Sequence, residues 1–138
     1  MADIRIFSYL PNPRVWKSLI AADLCGVEVE VVGDKPANLG NWLWDFDARE
    51  LRESEKSEDN ANARVSRRGF SGTLYKTDEF LKAHPYGTVP AAFSGDGQTG
   101  IFESNSILRS VVRASRVEHT LYGRDASQAS RIDSFLDA

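Results

Sequence analysis

The run Phe80–Val112, FLKAHPYGTVPAAFSGDGQTGIFESNSILRSVV, decides how the chain folds. His84-Pro85 ends a helix, because the residue before a proline is pushed out of the α region. That helix begins at about Thr77, a candidate N-cap, with Phe80 and Leu81 inward. A Gly-Thr-Val-Pro turn follows. Ala91–Phe93 and Thr99–Phe102 then read as two short strands around Gly95-Asp96-Gly97, a hairpin signal. A new helix opens at Glu103-Ser104-Asn105-Ser106 and carries Ile107, Leu108, Val111 and Val112 at helical spacing. This order leaves a strand with exposed backbone beside Pro90 and a helix N-terminus nearby. A small ligand with both a peptide backbone and a free carboxylate would find partners at both.

Upstream, Ile4–Tyr9 alternates as a first strand, and the loop Leu10-Pro11-Asn12-Pro13 follows. A helix is expected from about Arg14 to Leu24, with Val15, Leu19, Ala22 and the neighbouring Trp16 as inward candidates and Gly26 as its stop. Val27–Val32 alternates strictly and reads as the second strand. Strand, helix and strand form a βαβ unit, so the two strands should run parallel with a right-handed crossover. At the other end, after Tyr122-Gly123-Arg124, the segment from Asp125 to Ala138 reads as a helix with Ala129, Ile132, Phe135 and Leu136 on one face.

Between these parts, Gly33 to Gly72 is different. It opens with the aromatic cluster Asn41–Phe46, in which Trp42 and Trp44 line a pocket, hold the segment onto the domain, or form a partner surface. The stretch Ala48–Arg68, ARELRESEKSEDNANARVSRR, is almost wholly polar. It has too little apolar content to build core, so a mobile loop or a solvated helix is expected. A connection this long inside one domain points to function or to an insertion.

The 138 residues suffice for one domain, and 41% apolar composition fits a globular core. A net charge of -3 gives no electrostatic case for nucleic acid. No apolar run approaches the roughly 20 residues of a membrane helix, and MADIRIFSYL lacks the charged start and long apolar core of a secretory leader. The single cysteine cannot form an internal disulfide, which suits a reducing cytoplasm. Cys25 closes a helix ahead of a strand, a place for a small core residue. His84 and His119 lack the companions a metal site needs, so no metal is expected.

Two blocks, RVWKSLIAADLCGVEVEVV (Arg14–Val32) and EFLKAHPYGTVPAAFSGDGQTGIFESNSI (Glu79–Ile107), resemble the N-terminal, thioredoxin-like domain of cytosolic glutathione transferases. They are most similar to the transferase-like domain of the gamma subunit of elongation factor 1. The resemblance implies an α/β fold: a thioredoxin-like βαβ-α-ββα domain with a four-stranded mixed sheet. Residues 1–118 would form it, with a long insert at about 38–72. Residues 119–138 would be a linker and the start of a truncated all-helical domain.

The resemblance also implies glutathione as co-substrate and an electrophilic small molecule as second substrate. It implies a cis Val89–Pro90 bond, with the Val89 backbone pairing with the cysteinyl backbone of glutathione. Glu103 and Ser104 would hold the γ-glutamyl end. Read singly, Pro90 is equally a trans turn residue, Ser104 an N-cap and Glu103 a first-turn carboxylate. Arg14 is either a charge near the glutamyl end or a surface helix residue. The family activates the thiol with a Tyr, Ser or Cys near the end of the first strand. Many serine-type members place the hydroxyl four residues before the helix arginine, where this chain has Leu10. Tyr9, Ser8 and Asn12 remain as candidates; Ser8 and Tyr9 point to opposite faces of a strand, so one of them at most serves. Arg67, Arg68 and Lys76 are candidates for the glycine carboxylate.

The expected activity is glutathione transfer in detoxification, in a cytoplasmic protein that dimerises when complete, with neither nucleic acid nor membrane as partner. The alternative is a non-catalytic interaction domain, which Leu10 and the aromatic insert favour. A weaker third reading is a glutathione-dependent reductase using Cys25, although the chain has no C-x-x-C.

Overall fold

The computed structural model describes residues 1–66, 69, 70 and 72–138. The chain opens with β1 (Ile4–Tyr9), α1 (Pro13–Cys25) and β2 (Val29–Asp34). β1 and β2 pair in parallel, from Ile4 opposite Val29 to Tyr9 opposite Asp34. Asn12 caps α1 by accepting the Arg14 N–H at 3.0 Å, and Gly26 ends it in the left-handed region at φ 65°. β2 starts two residues later than the alternation from Val27 suggests. The Val27 N–H closes the end of α1 instead, on the carbonyl of Ala22 at 3.0 Å.

The helix also turns differently from expectation. Val15, Ser18, Ala21, Ala22 and Cys25 face inward, whereas Trp16 and Leu19 are 51% and 37% exposed. Small residues at the contact let α1 pack closely against the third helix, and that phase carries both larger side chains out to solvent.

The insert follows: a 3-10 turn (Pro36–Asn41), β3 (Trp42–Trp44), β4 (Arg49–Glu50), a second 3-10 turn (Glu53–Glu55), β5 (Ala63–Val65) and β6 (Thr73–Lys76). These strands form a second four-stranded sheet in the order β4-β3-β6-β5. The expectation of a mobile loop or solvated helix is corrected here. β3 and β6 run parallel and carry Trp44 and Leu74 into a core, and the polar stretch pairs onto their edges as β4 and β5. Its charges are used locally: Arg49 meets the Glu55 carboxylate with both terminal nitrogens, at 2.9 and 2.8 Å, and holds that carboxyl down at about 2.

α2 (Asp78–Ala83), β7 (Ala91–Ser94), β8 (Gly100–Ile101) and α3 (Ser104–Arg113) complete the first sheet, whose order is β2-β1-β7-β8. Thr77 caps α2 through the Phe80 N–H at 3.0 Å and donates its hydroxyl to Asp45 of the insert at 3.0 Å. β7 runs antiparallel to both β1 and β8.

The period-two alternation of the strands divides the core into two layers. Ile4, Ile6 and Ala92 meet α1 and α3 on one face, with Ile107 and Val111. Phe7, Ala91 and Phe93 meet Phe80, Leu39, Trp44 and Leu74 on the other. Trp42 joins the second layer, 6.0 Å from Phe7 between ring centroids, and donates its indole N–H to Asp34 at 3.2 Å. Both tryptophans of the aromatic cluster therefore cement the insert to the sheet.

α4 (Ala126–Leu136) is fastened by polar contacts. Arg109 reaches Asp133 at 3.1 Å and Asp137 at 2.5 Å, and Asn105 donates to the Leu136 carbonyl at 2.5 Å. These contacts fix its rotation with Ala129, Ile132 and Leu136 half-buried. Phe135, expected on that face, is 71% exposed under the guanidinium of Arg131. Among the described residues no helix is long and apolar enough to cross a membrane.

Candidate functional site

A cavity of about 1090 Å³ opens between the Gly87–Pro90 turn, the start of α3 and the insert. Strand parity decides which early residue reaches it. Tyr9 lies on the same face of β1 as Phe7, toward the insert, and lines the cavity half-buried. Ser8 points the other way and is fully buried, its hydroxyl accepting from the Asn12 amide at 3.0 Å. Asn12 is buried as well, with its amide oxygen engaged in capping α1. Neither Ser8 nor Asn12 lines the cavity; Arg14, exposed on the first turn of α1, does.

The Val89–Pro90 peptide is cis, as is Leu10–Pro11. Val89 is half-buried, and among the described residues its N–H and C=O take part in no hydrogen bond. Both groups are left for the backbone of an extended ligand laid along this turn.

Glu103 and Ser104 form the far wall. Glu103 holds φ 70°, ψ 121°, a conformation side chains rarely adopt, and its carbonyl accepts the Ile107 N–H at 3.0 Å. Residues other than glycine persist in such regions only where their surroundings hold them there, and such positions cluster at ligand clamps. Ser104 is the first helical residue and Glu103 precedes it as the cap position, so the serine does not act as N-cap. Its hydroxyl instead accepts from the ammonium of Lys17 at 3.0 Å.

The insert supplies the opposite wall through Arg64, Val65, Phe70, Leu74 and Lys76. Lys76 donates to the Gly87 carbonyl at 2.9 Å and lies 4.7 Å from the Trp44 ring centroid. Burial, and then the charge of Arg64, pull its ammonium below the ordinary lysine range. Arg64 pairs with Asp78 at 2.6 Å. Arg67 and Arg68 lie outside the described residues.

The structure thus brings Tyr9, Arg14, Val89, Pro90, Glu103 and Ser104 to one cavity. Sequence reasoning missed Arg64 and Lys17. The only sequence trace of Lys17 is its place one helical turn after Arg14 on the same helix. Cys25 is fully buried in the layer beneath α1 and α3.

No family model matches the chain. It is 29% identical over 126 residues to elongation factor 1-gamma 2 of Oryza sativa subsp. japonica, covering 91% of this chain and 21% of that protein. It is 32% identical over 65 residues to a glutathione S-transferase-like protein of Aspergillus aculeatus, covering 47% of this chain and 30% of that protein. Among solved structures, it is similar to the theta class glutathione S-transferase of Xanthomonas axonopodis pv. citri with glutathione bound. That match has a TM-score of 0.55 at 19% identity, over 99% of this chain and 48% of that one. The chain therefore spans about a fifth of the elongation factor relative and just under half of the transferase chain. The βαβ unit, the antiparallel hairpin after Pro90 and the closing helix, with these likenesses, give this chain the thioredoxin-like fold of the glutathione transferase N-terminal domain.

Proposed function

We propose that the chain binds glutathione in the cavity between Val89, Glu103 and Tyr9 and activates its thiol for attack on an electrophile. The observation that carries this reading is the convergence of three kinds of group on one cavity: the unpaired backbone of Val89 in the turn before β7, a carboxylate beside a helix start, and a phenol. The Val89 N–H and C=O pair with the cysteinyl backbone. Glu103 takes the γ-glutamyl ammonium. Ser104 and the first amides of α3 take the α-carboxylate, with Arg14 adding positive charge. Lys76 and Arg64, cations on the insert wall, stand for the glycine carboxylate.

Tyr9 donates its hydroxyl to the sulfur and favours the thiolate, the nucleophilic form. The thiolate then forms a C–S bond as the leaving group departs from the electrophilic carbon. The complete protein is proposed to dimerise and to act in the cytoplasm, as the family resemblance implies. The test is stabilisation of the fold by glutathione, since a ligand specific for the native state raises stability by mass action. Replacing Glu103 with Ala should abolish most of the shift; an unchanged shift removes this site.

A second reading is a non-catalytic interaction domain. Two observations favour it: Leu10 occupies the position of the serine-type hydroxyl, and α1 turns Trp16, Ile20 and Leu24 outward, each at least half exposed. Turnover of an aromatic halide with glutathione by a full-length version separates the two readings. Absence of turnover together with retained partner association selects the second.

A further inference from the structure

We infer that Lys17 is a positioning residue for the proposed ligand carboxylate, acting through the hydroxyl of Ser104 from behind the cavity wall. The inference rests on the glutathione reading above and adds a residue that does not itself line the cavity.

A lysine ammonium has donors only, so its 3.0 Å contact with Ser104 runs from Nζ to Oγ. One lone pair of the hydroxyl is thereby occupied by a cation. The O–H dipole turns its oxygen toward Lys17 and its hydrogen away, and Ser104 itself lines the cavity. The hydroxyl becomes a donor with a fixed aim instead of a free rotor. A donor polarised by a cation on its oxygen also binds an anion more strongly than an isolated hydroxyl does.

The rest of the Lys17 environment fits this task. The same ammonium donates to the side-chain oxygen of Asn105, whose amide holds the Leu136 carbonyl of α4 at 2.5 Å. Asn105, itself tied to α4, thus holds the lysine head at the start of α3. Among the described residues Lys17 forms no ion pair, and neither does Arg14 one turn before it. Burial and then the charge of Arg14 lower the Lys17 pKa. Two cations close together without a carboxylate between them are relieved when an anion arrives. A lysine that merely joined α1 to α3 would gain nothing from the ligand.

The experiment is calorimetric titration of the 138-residue chain and its Lys17→Met, Lys17→Arg, Ser104→Ala and Lys17→Met/Ser104→Ala variants. The probes are glutathione and its analogue with a 4-aminobutyryl group in place of the γ-glutamyl group, which keeps the ammonium and lacks the α-carboxylate. Lys17→Met should weaken glutathione about tenfold, as loss of one charge-assisted contact does, and leave the analogue within about twofold. In the Ser104→Ala background the same change should cost less than about twofold, because the hydroxyl through which it acts is gone. Lys17→Arg should recover most of the affinity. Lys17→Gln replaces the methionine variant if the latter does not fold.

Equal losses for both ligands, unchanged affinity in Lys17→Met, or full additivity with Ser104→Ala would each overturn the positioning role while leaving the cavity assignment intact. If the unaltered chain takes up no glutathione, or Glu103→Ala binds as well as it does, the glutathione reading fails and the role of Lys17 falls with it.

Discussion

The indole of Trp44 meets the ring of Phe7 edge-on, with centroids 5.4 Å apart, and this contact joins the insert to the first strand of the main sheet. Phe70 and Phe80 approach the same indole at 5.7 and 5.9 Å, also edge-on. Trp44 is 1% exposed, and its N–H is satisfied by the Leu39 carbonyl at 3.1 Å. Replacing it with Ala leaves a cavity between two sheets, and the expected loss is about 3–5 kcal/mol in denaturant unfolding. Trp16→Ala, on the exposed face of α1, should cost under about 1 kcal/mol. Similar losses at both positions would contradict a shared core.

His84 should make the fold acid-sensitive in a defined window. It is 1% exposed among Phe80, Phe93 and Phe102. One ring nitrogen donates to the Ala92 carbonyl at 3.0 Å, and Nδ1 has no partner among the described residues. Burial pushes its pKa from 6.5 down to about 4, against the opposing pull of the Ala92 hydrogen bond. Between those values the unfolded chain binds a proton that the folded chain does not. Stability from this group is therefore complete above 6.5 and falls as pH drops toward 4, by about 3 kcal/mol. Urea midpoints across that range should show the slope, and His84→Phe should flatten it.

Glu103 is expected to trade stability for binding. Its φ of 70° is costly for a residue with a side chain and cheap for glycine. Glu103→Gly should raise the stability of the free chain by about 1 kcal/mol and weaken glutathione at least about tenfold. Thermal unfolding with and without the tripeptide reads both. A variant that gains stability and keeps full affinity would remove the carboxylate from the site.

Tyr9→Phe removes the one phenol that β1 turns into the cavity. If its hydroxyl stabilises the thiolate, turnover should fall about 10–100-fold, and the pKa of bound glutathione thiol should rise by one to two units, about the value of one charge-assisted hydrogen bond. Ser8→Ala should leave that pKa unchanged, because the Ser8 hydroxyl is buried against Asn12 on the opposite face. Ultraviolet titration of the thiolate measures both.

The parts of this fold legible in the sequence are those set by local rules. Alternation located β1, Gly26 marked the end of α1, and the glycine turn located the β7–β8 hairpin. The phase of α1 was missed because Trp16 and Leu19 are as apolar as any core residue. What turns them outward is the close approach of α1 to α3, a tertiary fact. The second sheet was missed because its strands are two to four residues long, too short for periodicity to register. They pair across gaps such as Leu43 with Tyr75. The same distinction holds at the cavity. Val89, Pro90, Glu103 and Ser104 lie in one compact stretch, whereas Lys17 meets Ser104 across 87 positions and looks like any other helix lysine.

Trimming a long connection is ordinarily a mild change, since loop length affects closure only logarithmically. The packing of Leu39 and Trp44 against Phe7 and Phe80 makes the 38–72 segment an exception. A shortened version would strip one side of the central sheet, leave Phe93 and Phe80 wet, and remove the wall carrying Arg64 and Phe70. Such a truncation should be recovered as aggregate rather than as a leaner domain, and that makes this highly polar stretch a poor place for a protease cut, a tag or a graft.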